Sequence, residues 1–399
     1  MDLHTGDPYW LMKNGYAQSF PALDADIKTD VCVLGGGITG SLAAHTLANE
    51  GLDVVVLDKR HPGMGSTCAS TALLQYEIDE PLESLIEKVG RERAEKSYLA
   101  CYRAIDGIHD CIKAARLRIA FDKTHSLQFA SSTRHVARLR REFEARKRIG
   151  LDVRLLDADE VKEEFGFSAP AALLTRQGAQ IDAYQLAHAL LGLERDNLRV
   201  FDTCEAVGVS GGRTGVRIET GGGHTVCARS LVVACGYESE KFLPRKVLSL
   251  SSTYALITKP VDPGLLWRGR TLLWETKTPY LYARTTSDNR IIVGGRDDVP
   301  FDRKKRNASL YTKASKLLAD FANLFPDIPL HPDFTWAGAF GSTKDSLPYV
   351  GSPSGMKNIY FILGFGGNGI VFSQTGSEIV RDAILGRKNP LADLYTFSR

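Results

Sequence analysis

Three glycines in the segment VCVLGGGITG, residues 31–40, have the spacing needed to hold a phosphate group. Gly35, Gly37 and Gly40 follow the pattern GxGxxG. The first glycine permits a tight turn, the second lets the backbone approach a pyrophosphate, and the third lets a helix pack closely against a strand. Asp58 follows eighteen residues after Gly40, where a carboxylate can accept hydrogen bonds from a ribose diol. These four residues together predict the binding of a dinucleotide.

A strand, a helix and a second strand must position these residues. Val31–Leu34 and Val54–Leu57 are uninterrupted apolar runs, which are typical of strands buried on both faces. Ile38–Glu50 is predicted to be a helix that ends at Gly51 and directs its positive dipole end and free N–H groups at the phosphates. The competing interpretation is a glycine-rich packing turn without a ligand. The order of strand, glycines, helix, strand and acid favours the dinucleotide.

The composition indicates a globular protein with a sizeable core. Of the 399 residues, 43% are hydrophobic and 24% are charged, which excludes a disordered chain. The formal net charge of +3 is too small to imply nucleic-acid binding. The basic stretch at residues 133–150 is interpreted as an exposed helix face, because acidic residues interrupt it.

The cysteines and the apolar runs bear on whether the chain is a disulfide-bonded, metal-binding, secreted or membrane protein. The seven cysteines are scattered without a CxxC pair, so neither structural disulfides nor a metal site is expected. No apolar run approaches the roughly 18 residues needed to span a bilayer, and the first thirty residues lack the apolar core of a signal peptide. We therefore expect a cytoplasmic protein without a transmembrane segment.

A second strand–glycine–helix junction occurs near the end of the sequence. Ile359–Leu363 is predicted to be a strand that runs into GFGGNGI, and Val371–Leu385 is predicted to be a helix. The N-terminus of that helix is a second site for negative charge, and the competing interpretation is a packing turn.

Periodicity between the two junctions predicts further elements. Helices are expected at 81–113, 136–149, 184–193 and 310–324, strands at 199–236 and 252–294, and a hairpin turn at 221–223.

The N-terminal fingerprint, the strand that ends in ACG at residues 234–236 and the terminal GFGGNG together resemble the D-amino acid oxidase (DAO) family of FAD-dependent oxidoreductases. GMGSTCAS, IIVGGRDD and WAGAFGSTKDSLPYVG are most similar to the group of γ-glutamylputrescine oxidase and glycine oxidase. The resemblance implies an α/β fold. It has a Rossmann-like FAD-binding domain with three layers (ββα) and an inserted α+β substrate domain built on a mixed, mainly antiparallel sheet. It places the discontinuous FAD-binding domain at residues 1–80, 150–240 and 335–399, and the substrate domain at residues 81–149 and 241–334.

The resemblance also implies that FAD is bound without a covalent link. Some relatives attach the flavin through a histidine in the loop after the second strand, but Ala69 stands at the matching position. The residues that match the family's cofactor contacts are Gly35, Gly37, Ile38, Thr39, Gly40, Asp58, Lys59, Arg60, Ser66, Thr67, Ser70, Thr71, Leu73, Val207, Ala234, Gly236, Gly364, Gly366, Gly367, Asn368, Gly369 and Ile370.

Departures from the family pattern bear on the substrate. Members that oxidise amino acids carry an arginine that binds the substrate carboxylate by paired hydrogen bonds, but here Phe340 occupies that position in GAFGST. Gly367 replaces a second arginine that glycine oxidase carries. The two missing anchors favour a small-molecule amine or an amino-acid derivative over a simple α-amino acid. Hydride transfer from its carbon to flavin N5 would give an imine that water hydrolyses. The candidate substrate contacts are Tyr254, Tyr280, Tyr282, Arg284, Phe340 and Lys344.

Two alternatives stay open at this point. The first alternative concerns the electron acceptor, which is either oxygen or a quinone or protein. Some relatives place a lysine over the flavin for reaction with oxygen, but the matching strand here has Ile292 and Val293, so oxygen is not established as the acceptor. The second alternative is a flavin-containing binding or electron-transfer subunit without independent turnover. A flavin reductase that uses a pyridine nucleotide would need a second GxGxxG in a βαβ unit, and the sequence has none.

Overall fold

The structure is a computed structural model that describes residues 1–399. In chain order the strands are β1 (His4–Gly6), β2 (Ile27–Leu34), β3 (Val54–Leu57), β4 (Leu73–Gln75), β5 (Phe121–Phe129), β6 (Val153–Asp157), β7 (Ala171–Ile181), β8 (Leu198–Phe201), β9 (Ala206–Gly211), β10 (Val216–Thr220), β11 (Thr225–Val233), β12 (Ser249–Thr258), β13 (Leu272–Glu275), β14 (Tyr282–Thr285), β15 (Ile291–Asp298), β16 (Pro332–Ser342), β17 (Tyr349–Gly351) and β18 (Ile359–Leu363). The helices are α1 (Tyr9–Asn14), α2 (Ile38–Asn49), α3 (Ser66–Ala69), α4 (Leu82–Val89), α5 (Arg91–Ala114), α6 (Val136–Arg148), α7 (Ala158–Phe165), α8 (Ala183–Leu191), α9 (Arg303–Leu324) and α10 (Gly369–Ile384). None of the helices combines the length and the apolar character that a membrane crossing requires.

The smaller sheet, of eight strands, carries the glycine fingerprint. Its order is β17-β18-β11-β2-β3-β8, with β10 and β9 continuing from β11, and the run from β18 to β8 is parallel. Val31 and Val33 of β2 face the core formed with α2, α8 and α10, whereas Cys32 and Leu34 face a second core formed with β9, β10 and β11. A strand that is apolar on both faces must be packed against other elements on both faces. The predicted three-layer, Rossmann-like arrangement is therefore confirmed.

The larger sheet, of ten strands, supplies one wall of the space between the two sheets. Its order is β1-β16-β12-β15-β14-β13-β5-β7-β4, and β6 pairs with β7. Every pairing is antiparallel except that of β5 with β13, which confirms the mixed, mainly antiparallel sheet. Helix α9 covers one face, where Leu317 and Phe321 pack into a core with Leu256 of β12. The opposite face is turned toward the smaller sheet.

Two strands that follow residue 150 join the larger sheet. Strands β6 and β7 fall in the part that the sequence assigns to the FAD-binding domain, but both belong to the larger sheet. β7 is hydrogen-bonded to β5 and β6 along most of its length. Its sequence predicts a buried strand without revealing the partner, because the pairing joins segments far apart in the chain. Strands β1, β4 and β16 also extend this sheet from segments assigned to the other domain.

The local elements agree more closely with the sequence. β3 and β18 have the predicted bounds, and α2 begins at the predicted Ile38. The predicted helical region 81–113 is two helices, α4 and α5, because Gly90 between them has a φ of 85° and breaks the helical path. Gly223 has a φ of 87° in the predicted hairpin turn between β10 and β11.

Candidate active site

One elongated cavity of about 320 Å³ lies between the two sheets. At one end it is bordered by Asp58 and Glu238, and at the other by Tyr280, Tyr282 and Asp297. The predicted cofactor residues that line it are Gly35, Gly37, Ile38, Thr39, Asp58, Lys59, Arg60, Ser66, Thr67, Ser70, Thr71, Leu73, Ala234, Gly236, Gly366, Gly367, Asn368, Gly369 and Ile370. A single long cavity brings together segments from both ends of the chain, as an extended dinucleotide requires.

The glycine fingerprint forms the phosphate end of this cavity. Gly35 has a φ of 101°, and a Cβ there would lie 2.5 Å from the carbonyl oxygen of Ala234. A Cβ on Gly40 would overlap the carbonyl oxygen of Gly35, so Gly40 supports the turn from behind the cavity. Gly37 is the N-cap of α2 and supplies no side-chain cap, which leaves the helix N-terminus available for an anion. This arrangement fits a pyrophosphate.

Two carboxylates border the ribose end of the cavity. Asp58 accepts hydrogen bonds from the N–H groups of Gly36, at 2.6 Å, and Arg60, at 2.8 Å. Burial raises the pKa of Asp58, and these two hydrogen bonds oppose that shift. Glu238 lies 2.7 Å from Lys59 Nζ and 2.8 Å from Arg60 Nη1. Burial alone would raise the pKa of Glu238, but its cationic partners lower it to about 2. Lys59 and Arg60 therefore line the cavity with part of their positive charge balanced by Glu238.

The terminal glycine loop closes the middle of the cavity. Thr39 of α2 and Ser373 of α10 are joined by a hydrogen bond of 2.8 Å between their hydroxyl groups. Asn368 donates from Nδ2 to the carbonyl oxygen of Gln75 at 2.8 Å. Gly366 has a φ of 57°, and the N–H of Gly367 donates to Asp79 Oδ2 at 2.8 Å. These contacts fix the N-terminus of α10 against the end of β4 and the segment that follows it. The resemblance places the flavin here.

Aromatic rings and carboxylates form the far end of the cavity. The rings of Tyr280 and Tyr282 lie 5.7 Å apart, and the ring of Trp274 lies 6.4 Å from that of Tyr280. The hydroxyl of Tyr280 is 3.5 Å from Asp79 Oδ1. Phe340 of β16 also borders this part of the cavity. Such rings exclude water while leaving polar atoms in position to hold a substrate.

Asp297 is an acid at this end of the cavity whose pKa is shifted. Burial raises the pKa of Asp297 to about 6, and the nearby charge of Asp79 contributes in the same direction. Its Oδ1 atom has no hydrogen-bond partner. A buried carboxylate with an unpaired oxygen and a pKa near neutrality is suited to bind a cation or to accept a proton.

Three of the predicted substrate contacts lie outside the cavity. Arg284 is buried and donates to the carbonyl oxygens of Ala72 at 2.8 Å and Ile181 at 2.9 Å, so it holds the cavity wall from behind. Tyr254 faces α9 and donates to Asp298 Oδ2 at 2.9 Å. Lys344 is exposed and donates to the backbone of the C-terminal residue at 3.1 Å. The structure does not bring these three side chains into the cavity, because alternation along a strand gives the face but not the depth at which a side chain lies.

Two predicted cofactor positions do not line the cavity. Val207 is exposed and lies outside the cavity, whereas its neighbour Ala206 lines it. Gly364 also lies outside, and its φ of 86° identifies it as a turn residue next to Thr343. Tyr280, Tyr282 and Phe340 do line the cavity, as the sequence predicts.

The sequence reasoning missed several acidic and polar residues of this site. These are Glu77, Asp79, Gln128, Glu238 and Asp297, all of which line the cavity. For Asp297 a signal was present, since two acids end the otherwise apolar strand IIVGG. For Glu77 and Gln128 there was none, because only the strand order places them together.

Comparisons with known proteins agree with this geometry. A family model described as DAO, FAD dependent oxidoreductase, matches residues 30–383. The chain is 26% identical to gamma-glutamylputrescine oxidoreductase of Escherichia coli (strain K12), over 97% of this chain and 90% of the relative. It is 25% identical to glycine oxidase of Geobacillus kaustophilus (strain HTA426), over 93% and 96% of the two chains.

Solved structures show the same fold. The crystal structure of glycine oxidase from Geobacillus kaustophilus superposes with a TM-score of 0.80 at 21% identity, covering 93% of this chain and 99% of the other. That of L-proline dehydrogenase from P. horikoshii gives a TM-score of 0.76 at 20% identity, covering 94% and 99%. Both match nearly the whole chain, so the two sheets and the space between them are features of the shared fold.

Proposed function

The chain belongs to the DAO family of FAD-dependent oxidoreductases, and on that basis we propose that it oxidises the C–N bond of an amine. The observation that carries the proposal is the chemistry of the far end of the cavity. Asp79 and Asp297 lie there among aromatic rings, and the cations Arg138 and Lys277, which also line the cavity, are exposed. Carboxylates in an aromatic pocket complement an ammonium group and repel a carboxylate.

The position of Gly367 supports an amine over a simple α-amino acid. A Cβ on Gly367 would lie 2.6 Å from Asp79 Oδ1. An arginine could not occupy this position without displacing Asp79. The structure thus has a carboxylate where a substrate carboxylate would need a cation. Phe340, which replaces the other expected arginine, adds a further apolar group to the same cavity.

The chemistry divides between the cofactor and the chain. FAD, when bound, would supply the hydride acceptor for the carbon next to the substrate nitrogen. We assign to the carboxylate of Asp297 the binding of the substrate ammonium group and the acceptance of its proton, because a neutral amine is the form that loses hydride readily. Tyr280, Tyr282 and Trp274 orient the carbon chain and exclude water. The product is an imine, which hydrolyses to a carbonyl compound and ammonia or a smaller amine.

An anaerobic flavin-reduction screen tests this function. Aliphatic amines and diamines are expected to bleach the visible flavin absorbance of the purified protein, whereas glycine and D-alanine are expected to leave it unchanged. Prompt bleaching by D-alanine would contradict the argument from Gly367 and Phe340. Spectral perturbation without bleaching by any amine would instead favour a binding or electron-transfer subunit. Admitting air to the bleached protein then tests oxygen as the acceptor against a quinone.

We also expect the flavin to be held without a covalent bond. Ala69 carries no nucleophile, and burial raises the pKa of the adjacent Cys68 thiol to about 12, so Cys68 stays protonated and unreactive. Cys68 also lies outside the cavity. Acid precipitation should release all yellow colour into the supernatant. Flavin fluorescence that remains with the denatured chain on a gel would contradict this prediction.

A further inference from the structure

Four consecutive residues of the cavity wall, Ala69–Ala72, have their carbonyl oxygens bonded by side chains that lie outside the cavity. The donors and acceptors are Trp336 Nε1 to Ala69 at 2.8 Å, Trp10 Nε1 to Ser70 at 2.6 Å, and Arg284 Nη1 to Thr71 at 3.1 Å and to Ala72 at 2.8 Å. The three donor residues are all buried. The carbonyl groups of Ala69–Ala72 therefore point away from the cavity.

Ala72 adopts a backbone conformation that needs support from its surroundings. Its φ of 54° lies in the left-handed region, where the Cβ of an L-residue comes too close to the following carbonyl oxygen. Arg284 donates to the carbonyl of Thr71 on one side of the Ala72 Cα and to that of Ala72 on the other, so it fixes both flanking peptide groups. A strained backbone persists only where contacts of this kind over-determine it.

Arg284 in turn depends on Trp10. Its hydrogen bonds go to backbone carbonyl oxygens, and burial lowers its pKa to about 10. Its guanidinium carbon lies 5.5 Å from the centre of the Trp10 ring. An aromatic face attracts a cation more strongly where water is excluded. The indole of Trp10 therefore stabilises the buried charge with its ring while its N–H holds Ser70.

Helix α1 brings Trp10 to this position. Tyr9 donates from its hydroxyl to Asp288 Oδ2 at 3.3 Å, and Asn14 donates from Nδ2 to Asp182 Oδ2 at 2.8 Å. These acceptors lie in the turn between β14 and β15 and at the N-cap of α8. Helix α1 precedes residue 30, where the family match begins, and none of its residues lines the cavity. Any contribution of α1 to the site therefore passes through Ala69–Ala72.

We propose that Trp10 and Arg284 are positioning residues for FAD, which hold Ala69–Ala72 in the binding conformation before the cofactor arrives. The N-terminal helix is thereby part of the cofactor site without touching the cofactor. When either residue loses its hydrogen bonds, Ala72 relaxes toward a negative φ. The binding of FAD must then restore the strained conformation at the expense of affinity. This role concerns the cofactor alone and holds whichever amine is oxidised.

The release of FAD from the holoprotein tests this role. The rise in flavin fluorescence after dilution measures the release rate, and thermal unfolding of the same samples gives the Tm. Trp10→Phe keeps an aromatic ring but has no N–H, and we expect it to release FAD about 10- to 100-fold faster than the parent.

Trp267→Phe is the matched control. Trp267 lies outside the cavity, in the core formed with α9, and its Nε1 donates to the carbonyl oxygen of Thr271 at 2.7 Å. This variant loses the same kind of hydrogen bond, so it should lower the Tm without altering the release rate. An equal loss of Tm in both variants, with an unchanged release rate in Trp10→Phe, would assign Trp10 to the core and overturn the proposal.

Ala72→Gly tests whether the effect passes through the strained backbone. Glycine adopts a positive φ without steric cost, so the loop needs less support in this variant. When Trp10→Phe is added to Ala72→Gly, we expect it to accelerate release by no more than about threefold. Arg284→Lys keeps a cation but loses the planar guanidinium, so it should show the same acceleration and the same rescue, and it replaces Trp10→Phe if that variant does not fold. Equal acceleration with and without Ala72→Gly would overturn the proposal.

Discussion

Replacing Asp297 by asparagine is expected to lower kcat/KM for the preferred amine by about 100-fold. Asparagine keeps the size and one oxygen of the side chain, but it has no charge and cannot accept a proton. Flavin content and Tm are expected to stay close to those of the parent, since Asp297 Oδ1 has no partner within the protein. Steady-state kinetics with the best amine of the screen, together with the flavin-to-protein absorbance ratio, measure both parts of this expectation.

The pH dependence gives the same prediction a second measurement. Burial raises the pKa of Asp297 to about 6, so the carboxylate is charged at neutral pH and becomes protonated as the pH falls through 6. The kcat/KM of the parent should therefore decrease below about pH 6, by tenfold per pH unit when one group controls it. Asp297→Asn should lack this acidic limb, while a limb at higher pH that belongs to the substrate amine remains in both proteins.

Asp298 offers a matched control on the same strand. Adjacent residues of a strand point to opposite faces, and Asp298 contacts Lys313 Nζ at 2.7 Å on the side of α9. Asp298→Asn removes a carboxylate of the same size one position away, without altering the cavity. We expect kcat/KM to be largely retained and the acidic limb to persist. An equal loss in the two variants would show that the effect comes from damage to β15 and not from the cavity.

The features that could be predicted from the sequence are those that adjacent residues determine. Local backbone geometry and apolar runs determine the glycine spacing at 35–40, the bounds of β3 and the glycine junction after β18. The phosphate end of the site could therefore be predicted from the sequence. The substrate end depends on which strands become neighbours. Gln128 and Asp297 are far apart in sequence and share a cavity only through the order β15-β14-β13-β5.

Arg284 illustrates the other limit of prediction. Its alternation with Tyr280 and Tyr282 correctly indicates a common face, but a guanidinium can serve either a ligand or the backbone. In the structure it donates to four carbonyl oxygens, those of Thr71, Ala72, Ile181 and the adjacent Thr285, and it lies 5.5 Å from the ring of Trp10. Except for Thr285, these partners come from distant parts of the chain. Only the folded arrangement decides that this cation supports the site and does not touch the substrate.

Substitution of Gly40 by alanine is expected to abolish retention of FAD. A Cβ at this position would overlap the carbonyl oxygen of Gly35, and backbone atoms at a strand–helix turn cannot move aside as a flexible side chain could. Helix α2 must then shift away from β2, at a cost of about 3 kcal/mol, and the pyrophosphate loses the aligned helix N-terminus.

The flavin-to-protein absorbance ratio after purification and far-ultraviolet circular dichroism measure this loss. Gly107→Ala is the control, because Gly107 lies within α5 and its added Cβ would meet only the side chain of Gln374, at 3.4 Å. That variant should keep its flavin and gain slightly in stability, since alanine favours a helix by about 1 kcal/mol over glycine. Full flavin content in Gly40→Ala would mean that the turn at residues 35–40 tolerates a wider separation of strand and helix. In that case the binding of the pyrophosphate would not depend on close packing of strand and helix, and Gly40 would not be required for the binding of FAD.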